Sequence, residues 1–167
     1  MRRLSLITMA AGAALLFATA VHAQQPASPP VPPIPARTIY GGPITLEQAK
    51  KAADAAEAEA KKRNMIMAIA IVEPSGTLVY FRRMDGVQYG SINNAQSKAV
   101  SAAAYGRPTK SFRERVAKGD LSPMALVGAV ASDGGVPIIV NGKTIGAIGS
   151  SGGADDAISQ AGADALK

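Results

Sequence analysis

The 167-residue chain carries 18 Lys and Arg against 12 Asp and Glu, a formal net charge of +6; it contains no cysteine, and its one histidine is His22. Without cysteine there are no disulfides, thiolate metal centres or iron–sulfur clusters. The basic excess is too mild for a nucleic-acid binder and fits an anionic small molecule or an acidic surface without selecting between them.

Arg2 and Arg3 form a positive n-region, Leu4 to Ala20 is an uncharged apolar stretch, and Val21-His22-Ala23 places small residues where a signal peptidase reads them. This pattern predicts a secretory signal over residues 1–23, cut after Ala23, and a periplasmic or secreted mature protein. The competing reading is a membrane anchor, but the stretch is rich in Ala, Gly, Ser and Thr and lacks a basic stop-transfer flank. No Cys follows the cleavage site to carry a lipid, so no stable membrane anchor is expected. The paired arginines also raise twin-arginine export, although an ordinary Sec signal accounts for them. Cleavage removes two of the 18 basic residues, none of the 12 acidic ones and the only His, leaving a formal +4. Triads with a His base and the usual zinc and blue-copper sites lose their ligands with it.

From Gln24 to Pro43 lie seven of the eleven prolines, including Pro29-Pro30-Val31-Pro32-Pro33-Ile34-Pro35, which predicts an extended, solvated tether. A single domain over residues 44–167 follows. Thr45-Leu46-Glu47-Gln48 is a capping box, and Ala49, Ala53, Ala56 and Ala60 repeat on one face of a helix running to about Arg63. Small residues permit close approach, so this face can pack on a sheet or on a sister helix, and it is expected to contribute to contacts between copies of the chain. Met65 to Val72 reads as a strand buried on both faces, Pro74-Ser75-Gly76 as a turn, and Thr77 to Arg83 as the return strand.

Met84-Asp85-Gly86 breaks that strand, and Ile92, Ala95, Ala99 and Ala102 mark a second Ala-rich helix stopped near Tyr105-Gly106. Ser111-Phe112-Arg113-Glu114 reads as a second capping box opening a short basic helix that ends by Gly119. Val136–Val140 and Lys143–Ile148 flank Asn141-Gly142, a strong hairpin signal, and a last helix is expected from about Asp155 to Leu166. Adjacent antiparallel hairpins with helices around them make an α+β fold.

Several residues invite a chemical reading. Gly149 to Gly153 links a strand to a helix, so its N–H groups could hold a carboxylate or phosphate; equally, the glycines simply let the chain turn. Arg82, Arg83, Lys98, Arg107, Lys110, Arg113, Arg115 and Lys118 either line one cleft that attracts carboxylates or form a solvated basic face. Asp85 is a general base or a turn residue. Met65, Met67, Met84 and Met124 read as core filling, and Tyr80, Tyr89 and Tyr105 as packing or as a phenolate ligand.

The stretch from about Ile44 to Leu166 resembles the GlcG/HbpS family, to which the C-terminal domain of PduO-type proteins is related. The resemblance rests on Ile69-Ala70-Ile71-Val72 before a Ser-Gly turn, Arg83-Met84-Asp85-Gly86, Lys98-Ala99, and Gly106-Arg107-Pro108-Thr109. It closes on Gly134-Gly135-Val136-Pro137-Ile138, Gly146-Ala147-Ile148-Gly149 and Ser151-Gly152. It implies a profilin-like antiparallel sheet of about five strands flanked by helices, assembly into homo-oligomers, and binding of haem or a related tetrapyrrole. The ligand-binding residues it points to are Arg83, Met84, Asp85, Lys98, Tyr105, Arg107, Thr109, Ser151 and Gly152. Arg83, Lys98 and Arg107 would hold propionates in one cleft; because the mature chain has no His, the iron contact is left to Tyr, Met, Lys, Thr or water, or haem binds only through its ring and propionates. Two further readings stand beside the haem carrier: an oligomeric accessory protein of small-acid, glycolate-type metabolism, and a weak haem-degrading enzyme, for which no catalytic group is evident.

Overall fold

The structure, a computed structural model, describes residues 38–167. The expected signal over 1–23 and the tether as far as residue 37 lie outside the described residues. In chain order the elements are α1 (Leu46–Lys62), β1 (Ala68–Val72), β2 (Leu78–Arg83), α2 (Tyr89–Tyr105), α3 (Lys110–Ala117), a 3-10 turn (Ser122–Ala125), β3 (Gly135–Val140), β4 (Lys143–Ser151) and α4 (Asp155–Asp164). The strands form one antiparallel sheet in the order β2-β1-β4-β3. The two hairpins therefore lie side by side, joined by β1 and β4.

Period-two alternation in β1 decides what covers each face. Ile69 and Ile71 point to one side, where they pack with Ile138, Ile148 and Ile158 and the alanines of α1. Ala68, Ala70 and Val72 point to the other, against Ala95, Ala99, Ala102 and Ala103 of α2. The large side chains sit on the α1/α4 face and the small ones under α2. That is why α2 rides so low on β4: a Cβ on Gly149 would collide with the Ala95 carbonyl.

Most local expectations hold. Thr45 caps α1 with the complete capping box, Gly106 ends α2 in the left-handed conformation at φ 57°, and Asn141-Gly142 turns β3 into β4. Four differ. The described sheet has four strands rather than five. Beyond the end of β1, the edge of β4 is met only by a one-residue bridge between Tyr40 and Thr144, because Gly41-Gly42-Pro43 turns the chain away toward α1.

The same contact corrects the tether. Its described end is docked, with the Gly41 N–H donating to the Thr144 carbonyl at 2.9 Å and the Tyr40 hydroxyl to that of Ala103 at 2.9 Å. Ser111 does not open α3. The helix starts at Lys110, and the Ser111 hydroxyl lies buried without a partner inside it. Finally, the alanine face of α1 is consumed within the chain. Ala49, Ala52, Ala53, Ala56 and Ala60 are wholly buried against α4 and the sheet, so they are not available to a sister copy.

Candidate functional site

The strand register assembles one end of the sheet into a site. Ala68, the first residue of β1, stands between Arg83 of β2 and Ser151 of β4. Because β2 and β4 both leave the sheet here, Arg83, Met84, Asp85, Ser151 and Gly152 come to the same edge. Beside them is an open groove of about 550 Å³, walled by Met65, Ile66, Val87, Ser91 and Asn94 and floored by Ser151, Gly152, Gly153 and Asp155.

The groove is polar but carries little free charge. Ser91 and Ser151 are buried in its walls, while Ile66 is half exposed above Gly86. Tyr89, between the lining residues Gln88 and Gly90, is 79% exposed. The Arg83 guanidinium lies 5.2 Å from the centre of its ring. No carboxylate pairs with Arg83 among the described residues. Asp85 sits exposed in the turn that leads into α2. Met84 is half-buried against the core of the α1/α4 face, and its sulfur accepts the Met67 N–H at 3.3 Å.

Lys98 does not serve as a free cation. Its side chain is 5% exposed and its ammonium donates to Asp155 Oδ2 at 2.6 Å and to the Ser150 carbonyl at 3.2 Å. The other oxygen of Asp155 accepts the N–H groups of Gly152 at 2.9 Å and Gly153 at 2.8 Å. The glycine segment, read as an anion cradle or a simple turn, thus holds an anion already, the chain's own carboxylate. It is also shorter than expected, since β4 continues through Ser151.

Tyr105, Arg107 and Thr109 belong elsewhere. Tyr105 is seven residues beyond Lys98 on α2, about 10 Å along the helix. Its hydroxyl donates to the Val127 carbonyl at 2.6 Å and its ring meets Phe112 edge-on at 5.2 Å. Arg107 stacks over the other side of that cluster, 5.7 Å from the Phe112 ring centre. Thr109 is fully buried, exchanging bonds with Gly135 through its N–H and its hydroxyl oxygen, both at 2.9 Å. The single cleft of Arg83, Lys98 and Arg107 is therefore not formed.

A second open groove, about 470 Å³, shares Gly153 and Asp155 with the first. Its charges are matched: Arg113 meets Asp133 at 2.6 Å and Lys110 meets Asp156 at 3.3 Å. The bond that Arg113 donates to Asp133 holds the guanidinium pKa above its ordinary value. Among the described residues no cluster of three or more acidic or His side chains could hold a metal ion. Sequence reasoning missed Met65, Ile66, Ser91 and Asn94 as lining residues. Ile66 carried a signal, because an apolar residue placed before a strand buried on both faces has no interior left to enter.

Residues 44–165 match the family described as haem degrading protein HbpS-like. Among curated relatives, the chain is 36% identical over 114 residues to an uncharacterised 15.0 kDa protein of Citrobacter freundii, covering 66% of this chain and 80% of that one. It is 34% identical over 108 residues to protein GlcG of Escherichia coli K12, covering 65% and 81%. Among solved structures, a double mutant of Streptomyces reticuli HbpS superposes with a TM-score of 0.69 at 29% identity, over 85% of this chain and 99% of that one. A PduOC complex with haem superposes with a TM-score of 0.67 at 25% identity, over 75% and 96%.

Proposed function

The chain belongs to the HbpS-like family, with GlcG among its relatives, and on that premise we propose that it is an exported binding protein that carries haem or a related carboxylate-bearing tetrapyrrole. The observation that carries this reading is the rim of the groove beside Ser151. There the exposed ring of Tyr89, the half-exposed Ile66 and the unpaired Arg83 offer flat apolar contact next to a free cation. A tetrapyrrole needs those two things together, an apolar support for its ring and a charge-assisted bond for a propionate.

The residues present suit the ring and one propionate better than the iron. Met65, whose thioether lies against Gly153, is the sulfur donor lining the groove, and the described residues contain no His or Cys. Weak axial ligation and micromolar affinity follow, which suit cargo that is taken up and released. Assembly into homo-oligomers is part of the same proposal. Since α1 has no alanine face to spare, the contact is assigned to the exposed apolar segment Leu121, Met124 and Val127.

The test is a haem titration of the mature chain followed by Soret absorbance. A saturable Soret shift with intact haem recovered afterwards is the expected result. Loss of the Soret band with release of iron, once a reductant is added, would move the protein to haem degradation. An unchanged spectrum throughout would return it to the accessory reading of small-acid metabolism.

A further inference from the structure

The carboxylate of Asp155 is held as a bound ligand would be. Lys98 Nζ approaches one oxygen at 2.6 Å, and the N–H groups of Gly152 and Gly153 approach the other at 2.9 and 2.8 Å. Lys98 is itself anchored from the opposite side by the Ser150 carbonyl at 3.2 Å. A buried ammonium with two converging amides makes a complete carboxylate cradle. Asp155 also lies in the first turn of α4, where the helix dipole favours a negative charge.

Gly152, Gly153 and Asp155 floor one groove, and Gly153 and Asp155 line the other. We propose that Asp155 is a positioning and specificity-determining residue. By filling this cradle it sets the glycine floor in one conformation and removes Lys98 from the groove's chemistry. A ligand carboxylate is then directed outward to Arg83 instead of inward to Lys98. The cradle itself does not depend on the haem reading; only the choice of ligand rests on it.

Asp155→Ala keeps the Cβ that packs against Gly134 and leaves a space of carboxylate size in front of Lys98. Formate is the probe, with chloride at equal ionic strength as the control. In the variant, the amides of Gly152 and Gly153 are expected to exchange with solvent at least tenfold faster than in the parent chain, while those of the β1–β4 ladder stay protected. Millimolar formate should restore their protection and raise the thermal midpoint, and should lose both effects when Lys98→Met is added. If Asp155→Ala does not fold, Asp155→Asn, which has no charge to match the ammonium and one acceptor oxygen where the carboxylate has two, reports the same two amides. Unchanged protection at Gly152 and Gly153 in the folded variant, or equal rescue by chloride, overturns the proposal. A failed haem titration leaves the formate result standing, so the two readings fail separately.

Discussion

Arg83 and Tyr89 are six residues apart in sequence and stack next to the lining residues Gln88 and Gly90, the guanidinium 5.2 Å from the ring centre. The stack holds the arginine without neutralising it, because an aromatic face attracts a cation but leaves its N–H groups free for an anion. Arg83→Ala should weaken haem binding about ten- to a hundredfold, since a charge-assisted bond to a carboxylate is worth about 1.5–3 kcal/mol and each 1.4 kcal/mol is a factor of ten. Tyr89→Ala should weaken it less, and Arg107→Ala hardly at all. Soret titrations of the three variants check the order, and equal losses for Arg83 and Arg107 would refute the placement of the site.

Export predicts a mature protein that begins at Gln24. Intact-mass measurement on protein recovered from the periplasm or medium decides it. A mass that retains Met1 to Ala23 refutes cleavage.

Assembly through the exposed apolar segment predicts that light scattering returns a multiple of the chain mass at micromolar concentration. Val127 is 95% exposed in the single chain, so Val127→Asp should lower that mass without unfolding the domain. Ala56→Leu should instead lower the stability of the fold by about 1–3 kcal/mol, because Ala56 is buried against α4 inside the chain. A monomeric parent chain would count against assembly.

The close seat of α2 on β4 predicts that Gly149→Ala destabilises the domain by about 1–3 kcal/mol, the usual cost of forcing extra volume into a packed interior. The added methyl would meet backbone, the Ala95 carbonyl, and not the yielding end of a side chain. Denaturant unfolding measures it. An unchanged midpoint would mean that α2 can shift freely on the sheet.

Acid sensitivity is predicted at the α1–β2 contact. The bond from Lys61 and the charge of Arg82, which meets Glu57 at 2.6 Å, hold the Glu57 carboxyl below its ordinary 4.5 despite some burial. A carboxyl depressed in the folded state contributes stability above its unfolded value and loses it as pH falls through the folded one. The thermal midpoint should therefore drop as pH falls below about 4.5, and Glu57→Gln should flatten that drop. Parallel curves for the two proteins would remove Glu57 as a source.

Much of the fold was legible from local pattern. The Thr45 box, the doubly buried Ile69–Val72 run and the Asn141-Gly142 turn each act within a few residues, and period and turn chemistry suffice to read them. The alanine stripe of α1 was also legible as a buried face, and Arg83, Met84, Asp85, Ser151 and Gly152 as neighbours of one site. What covers the stripe was not: α4, almost a hundred residues later in the chain, takes the place that a sister copy was expected to fill. Nor could the sequence tell a free cation from a spent one. Lys98 and Arg83 look alike in the sequence, but Asp155, 57 positions from Lys98, is folded onto that ammonium, while no carboxylate pairs with Arg83 among the described residues. Secondary structure is written in short-range periodicity, whereas the charge state of a site depends on which distant groups the chain's path brings within bonding distance, and only the tertiary structure decides that.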